Sequence, residues 1–217
     1  MNNTQIPTTI RRLKTAAERW RVPAVSQIGE SRDPFRVLAS CLLSLRTRDE
    51  VTDAASDRLF ALASTPRQIL ALTPETVQKA IYPVAFFRNK TATLRAICQE
   101  LIENHGGEVP DTLDGLLKLK GVGRKTANLT LIQGFGGQGI CVDTHVHRIC
   151  NRWGYVKTKS PDETEMALRE KLPEEYWSQL NDLLVRFGQN CCKPISPLCS
   201  QCCVAEFCDR VGVKKSR

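Results

Sequence analysis

Leu116-Leu117-Lys118-Leu119-Lys120-Gly121-Val122-Gly123-Arg124-Lys125-Thr126-Ala127-Asn128 decides how the rest of the chain is read. The stretch joins two segments of helical periodicity. Asp111 is the residue expected to cap the incoming helix, and Gly121 and Gly123 allow a turn too tight for residues with a Cβ atom. The outgoing helix begins at about Arg124, so its first amides and the positive end of its dipole point outward with the glycine backbone. Such a turn suits an anion, a phosphodiester included. On its own, a glycine pair between two helices is equally a plain corner.

Outward from the turn, almost every segment shows helical periodicity with recognisable caps, and none alternates as a half-buried strand does. The expectation is an all-α protein. Thr65-Pro66 and Thr73-Pro74 each put a capping hydroxyl before a first-turn proline. In Ser160-Pro161-Asp162-Glu163, Glu163 is expected to reach back to the Ser160 amide as a capping box. The helix through Lys90–Asn104 stops at His105-Gly106-Gly107, and Gly134-Phe135-Gly136-Gly137 is the clearest break in the chain.

The 217 residues, 41% of them hydrophobic, suffice for one large or two small cores. A net charge of +8 favours an anionic partner. Half of that excess lies within residues 1–26, where Arg11, Arg12, Lys14, Arg19 and Arg21 face Glu18 alone; a solvated amphipathic helix explains the segment equally well. The N-terminal sequence lacks an apolar signal core, and no stretch approaches the roughly 18 apolar residues of a membrane span. A soluble protein of a reducing compartment is expected, its ten cysteines serving a metal rather than disulfides.

Two further constellations carry chemistry. Asp143, in Cys141-Val142-Asp143-Thr144-His145-Val146-His147, stands where a helix N-cap belongs. His145 and His147, two residues apart on a helix, point in different directions and make a poor metal pair. Farther on, Cys192, Cys199, Cys202 and Cys208 crowd into a segment with few strong structure formers, where a metal is the natural organiser. Spacing alone does not separate a Cys₄ zinc site from a [4Fe–4S] cluster. Cys191 and Cys203 adjoin this set without fitting it, and Cys41, Cys98, Cys141 and Cys150 read as helical core residues.

Taken together, Leu119–Asn128, the Val142-Asp143-Thr144-His145 segment and the C-x6-C-x2-C-x5-C spacing resemble the endonuclease III family of DNA glycosylases, with Leu42-Leu43-Ser44 and Phe87-Arg88-Asn89-Lys90 extending the similarity from about Phe35 to Cys208. The resemblance implies a six-helix barrel over residues 27–137 with a helix-hairpin-helix at about 111–133. It also implies a second helical domain from residues 1–26 and 138–217, with a [4Fe–4S] cluster held by Cys192, Cys199, Cys202 and Cys208 in the loop 192–208. Lys125 would be the nucleophile and Asp143 the proton acceptor and charge stabiliser. Attack by Lys125 requires an unprotonated amine, against an ordinary lysine pKa near 10.4. Ser44, Arg46, Lys120, Gly121, Val122, Gly123, Arg124 and His145 would meet double-stranded DNA.

The implied protein is a cytoplasmic, nucleoid-associated monomer with no membrane partner. It would excise oxidised pyrimidines and then cleave 3′ to the abasic site. Two positions depart from the family pattern: Arg46 stands where a glutamine usually fills the gap left by the flipped base, and Lys120 where proline is common. These departures keep a mismatch-specific glycosylase or a dedicated abasic-site lyase in view. A non-enzymatic DNA-binding iron–sulfur module is the remaining alternative.

Overall fold

Short polar side chains fix where the helices begin. In the computed structural model, which describes residues 1–29 and 32–217, the Thr65 and Thr73 hydroxyls accept from the amides of Gln68 (3.3 Å) and Thr76 (3.2 Å), with proline in the first turn of each helix. Ser160 caps in the same way, accepting from Glu163 N. The reciprocal bond differs from expectation: Glu163 Oε2 accepts from Lys159 N at 2.9 Å, not from Ser160. Ser160 is extended (φ −135°, ψ 159°), which turns the amide before it toward the glutamate. Before the central hairpin, the cap is Thr112, whose Oγ1 accepts from Gly115 N, and not Asp111, because the helix starts one residue later than the sequence suggested.

No strand occurs among the described residues, so the all-α expectation is borne out. The chain divides into a continuous unit, Ala24–Gly139, and a discontinuous one, Met1–Pro23 with Ile140–Arg217. In chain order the helices are α1 (Ile6–Ala17), α2 (Ala24–Gly29), α3 (Pro34–Ser44), α4 (Asp49–Leu62), α5 (Pro66–Ala71), α6 (Pro74–Ile81), α7 (Phe87–Asn104), α8 (Leu113–Lys118), α9 (Arg124–Phe135), α10 (Thr144–Arg152), α11 (Pro161–Lys171) and α12 (Trp177–Asn190).

In the continuous unit, α3 and α9 form the innermost pair. Residues 37–43 of α3 are all buried, as are Thr126–Ile132 of α9. At Gly134 a Cβ would lie 2.8 Å from Pro34 Cα, so glycine is what lets the end of α9 approach the start of α3. Leu38, Leu59, Ile69, Ile81, Leu94, Ile97, Leu101 and Leu116 surround the pair, fully buried. Each such side chain contributes roughly 1.5–3 kcal/mol by leaving water. Basic side chains finish several helices from within. Arg95 donates to Ile69 O and Leu72 O at the end of α5, and Arg58 to Ala80 O and Tyr82 O at the end of α6, satisfying carbonyls that have no intrahelical donor.

The discontinuous unit is built on α12, against which α1 and α10 pack, with α11 against α10. Ile6, Ile10, Leu13 and Ala17 form the buried stripe of α1, while Arg11 and Lys14 lie on its exposed side. Arg12 instead pairs with Glu206 (2.7 Å) and donates to Cys203 O, tying α1 to the C-terminal segment. Trp153, Tyr155 and Phe187 fill the centre. Cys41, Cys98 and Cys150 are buried helix residues as expected. Cys141 is buried too, but in the connection before α10 rather than in a helix, since Ile140–Val142 form an extended apolar lead into the Asp143 cap.

Candidate functional site

The hairpin between α8 and α9 is anchored from below and bare above. Leu119 and Val122 are buried in the core of the unit, so Val122 offers a ligand only its backbone, while Lys120, Gly121 and Gly123 are exposed. Gly121 has φ +85°, and a Cβ there would stand 2.7 Å from Thr93 Cγ2; both facts demand glycine. Gly123 differs from expectation. Its φ is −95° and a Cβ would meet nothing within 4 Å, so the turn itself does not require glycine there; the open space lies on the outer side of the backbone. Gly123 is also the N-cap of α9, which therefore starts without a side-chain cap.

Arg124 and Lys125 follow in the first turn of α9, both half-buried. Beneath them lies Cys41 of α3. Burial pushes its thiol up to about 12, and the nearby Lys125 ammonium, then a hydrogen bond with Thr130, pull weakly the other way. Lys125 is thus close enough to α3 for its charge to be felt at Cys41.

Asp143 belongs to the discontinuous unit. It caps α10, its Oδ1 accepting from His145 N (2.8 Å) and Val146 N (2.9 Å). The carboxylate is therefore oriented by two backbone donors before any substrate arrives. The two histidines behind it have different partners. His145 Nδ1 lies 3.1 Å from Arg148 Nη2 and its ring packs where a Cβ of Gly188 would otherwise stand. His147 Nδ1 lies 2.7 Å from Thr164 Oγ1.

Arg148 and Arg152 carry α10 toward the cysteine-rich segment. Arg148 donates to Cys192 O (3.0 Å), and Arg152 to Cys192 Sγ (3.4 Å), Lys193 O and Pro194 O. Cys192, Cys199, Cys202 and Cys208 line one cavity with these arginines' neighbours Trp153, Phe187 and Leu198. Cys191 lines it as well, but its thiol donates to Leu198 O (3.6 Å). Cys203 is absent from this lining and instead borders a second cavity with Arg19 and Trp20. No three or more His, Cys, Asp or Glu side chains among the described residues are arranged to hold a metal ion.

Back in the continuous unit, Ser44 ends α3 with its hydroxyl on Cys41 O, and Arg46 follows, exposed, in the left-handed region (φ 55°). Its guanidinium lies 5.1 Å from the centroid of Phe86, itself exposed and left-handed (φ 58°). Lys90, buried beneath them, is the residue sequence reasoning passed over. The signal was present: Phe87, Lys90, Thr91 and Leu94 share one periodic face of α7, which places a lysine in an apolar stripe.

Residues 39–174 match the family of "HhH-GPD superfamily base excision DNA repair protein". Endonuclease III of Thermotoga maritima is 49% identical over 177 residues, covering 82% of this chain and 83% of that protein. The chain belongs to the endonuclease III family. Two solved structures of that family carry the likeness through the whole fold. A non-covalent endonuclease III–DNA complex superposes with a TM-score of 0.85 at 32% identity, covering 97% of this chain and 96% of that one. A trapped endonuclease III–DNA covalent intermediate, an estranged-adenine complex, gives 0.84 at 31%, covering 97% of each. The enzyme class is that of a base-excision DNA glycosylase with abasic-site lyase activity, acting on DNA. Among the described residues, no helix is long and apolar enough to cross a membrane.

Proposed function

We propose that this endonuclease III relative excises oxidised pyrimidines from double-stranded DNA with Lys125 as nucleophile and Asp143 as the carboxylate that assists it. The observation that carries the reading is the position of Lys125: it follows the exposed Gly121–Gly123 backbone by two residues, so a strand whose phosphate rests on the hairpin presents its sugar to the amine. Lys120 and Arg124 add charge at the same place.

A stacked base is out of reach, so the damaged nucleotide is first extruded at a cost of a few kcal/mol. The Lys125 amine then attacks the sugar C1′; the C1′–Nζ bond forms as the glycosidic bond breaks, and the base leaves with the electron pair and takes up a proton. Asp143 faces the positive charge that develops on the sugar, and accepts the proton that the attacking amine loses. Opening of the sugar ring gives a Schiff base to Lys125, and loss of a C2′ proton expels the 3′ phosphate by β-elimination.

Cys192, Cys199, Cys202 and Cys208 are the proposed ligands of a [4Fe–4S] cluster. All four border one cavity, which Cys191 also lines, and the set of four thiols suits thiolate ligation of iron. When bound, the cluster would organise a segment that has few strong structure formers. Replacing Cys199 is expected to remove iron and the broad absorbance near 400 nm (roughly, as for such clusters), whereas replacing Cys203 leaves both. As a base-excision DNA repair enzyme it is placed in the cytoplasm, acting as a monomer on the nucleoid.

Borohydride reduction during turnover on an abasic-site duplex tests the nucleophile. A stable protein–DNA adduct on the Lys125 peptide is expected, and Lys125→Gln is expected to give none while still binding abasic DNA. Full strand cleavage by Lys125→Gln overturns the assignment. A mismatch-specific preference is the second reading, and the observation behind it is Arg46, held over Phe86 where the family commonly has glutamine.

A further inference from the structure

Lys90 spends its whole hydrogen-bonding capacity on one turn. Its three protons go to Leu43 O (2.7 Å), Leu45 O (2.5 Å) and Thr47 Oγ1 (3.1 Å). Leu43 is the penultimate residue of α3, and Leu45 and Thr47 flank Arg46. The Thr47 oxygen also accepts from Ala85 N at 3.2 Å, so the ammonium and one hydroxyl join residues 43–47 to the segment that precedes α7. That segment carries Phe86. Both exposed partners of the Arg46–Phe86 stack therefore rise from backbone that Lys90 and Thr47 bind together.

Two non-glycine residues with positive φ in neighbouring turns persist only when their surroundings impose the conformation. The surroundings here are costly in their own right. Lys90 is 7% exposed, and no carboxylate among the described residues pairs with it. Burial draws it down to about 8, which still leaves it charged at neutral pH. Closing a helix end does not by itself explain such a residue: Arg58 and Arg95 close α6 and α5 from positions where the guanidinium carbon chain stays part-exposed, and neither brackets a solvent-facing stack.

We propose that Lys90 is a positioning residue for substrate reading: by tying residues 43–47 to residues 82–86, it fixes Arg46 against Phe86 in the orientation with which Arg46 meets the gap left by an extruded nucleotide. This rests on the role assigned to Arg46 in the functional reading. Phe86 acts as a rigid platform that limits where the guanidinium points, and Lys90 as the tie that holds platform and arginine together.

The test separates the tie from the reading. Lys90→Met keeps the aliphatic stem and removes the donors; Arg95→Met removes a comparable helix cap and serves as control. Tryptic cleavage after Arg46 is expected to rise at least tenfold in Lys90→Met and to stay unchanged in Arg95→Met, with Lys90→Arg partly restoring protection. The ratio of kcat/KM for one lesion placed opposite guanine and opposite adenine is the second readout. Arg46→Ala is expected to move that ratio several-fold, Lys90→Met to move it as far, and the double variant no farther, because the two residues act in series. Unchanged cleavage in a folded Lys90→Met overturns the tie whatever the enzyme reads. A ratio change that adds to that of Arg46→Ala shows Lys90 acting through something else and equally overturns the proposal. Raised cleavage with a ratio that Arg46→Ala does not move keeps the tie but overturns the role of Arg46, and with it the functional claim. If Lys90→Met fails to fold, Thr47→Val removes the bridge to Ala85 and one acceptor of Lys90 while leaving its two carbonyl acceptors, and it must raise cleavage and shift the ratio in the same direction.

Discussion

Two helix starts, those of α9 and α10, solve the same problem in opposite ways. Each leaves amides at its N-terminus that no earlier turn can satisfy. At α10 the Asp143 carboxylate takes two of them, so the helix is closed by its own chain and the carboxylate is held still in return. At α9 the N-cap is Gly123, which has no side chain to offer. The first arrangement fixes the carboxylate that the proposed mechanism uses; the second leaves the helix end open to a group from outside the fold, in that proposal a phosphate. One helix start therefore spends its electrostatics on orientation and the other keeps it for recognition.

Asp143→Asn sharpens the contrast most. Asparagine caps as well as aspartate, so thermal stability is expected to stay within about 0.5 kcal/mol, while base excision falls by roughly a thousandfold because the charge is gone. Asp143→Ala loses both, adding about 1 kcal/mol of destabilisation. Single-turnover excision and thermal melts on the two variants check this; equal activity of wild type and Asp143→Asn removes Asp143 from the chemistry. Gly121→Ala comes next. With a positive φ and a 2.7 Å approach to Thr93, it is expected to destabilise by about 2 kcal/mol, read from a denaturant midpoint at constant slope.

Gly123→Ala separates turn geometry from ligand approach. Its backbone tolerates alanine, and the unfolded-state entropy removed offsets the poorer N-cap, so stability is expected to change by less than about 0.5 kcal/mol, while affinity for abasic duplex falls about tenfold, or roughly 1.4 kcal/mol, because the methyl group would stand where the proposed phosphate comes closest. Undiminished binding would show that the strand does not lie against that backbone. The smallest effect is expected for Thr112→Ala, which removes the cap of α8 and costs about 1 kcal/mol of stability with excision intact.

How much of this was legible in the sequence depended on range. Caps at Thr65, Thr73, Asp143 and Ser160 involve amides two or three residues away, and these could be read directly. Errors of one residue, such as Asp111 for Thr112, came from two adjacent residues that both cap well. Gly121 and Gly123 looked alike in the sequence, yet only the backbone angles show that the turn demands the first. Lys90 was hidden for a different reason: its acceptors lie 43 to 47 positions away and two of them are carbonyls, which every residue possesses. The cysteines fell between these cases, since their spacing was plain while the cavity that Cys191 and the four spaced cysteines share, and that Cys203 does not, required the fold.

The basic side chains turned inward bear on how the protein responds to ionic strength. Lys90, Arg95, Arg148 and Arg152, none of them exposed, each donate to backbone carbonyls inside their own unit. Charges so engaged displace no cations from a nucleic acid. Each phosphate neutralised on duplex DNA contributes about −0.9 to the slope of log affinity against log salt, so a footprint inferred from all 31 lysines and arginines counts groups that never reach the polymer. On the proposed footprint, the counterions released on binding would instead report exposed groups such as Arg46 and Lys120.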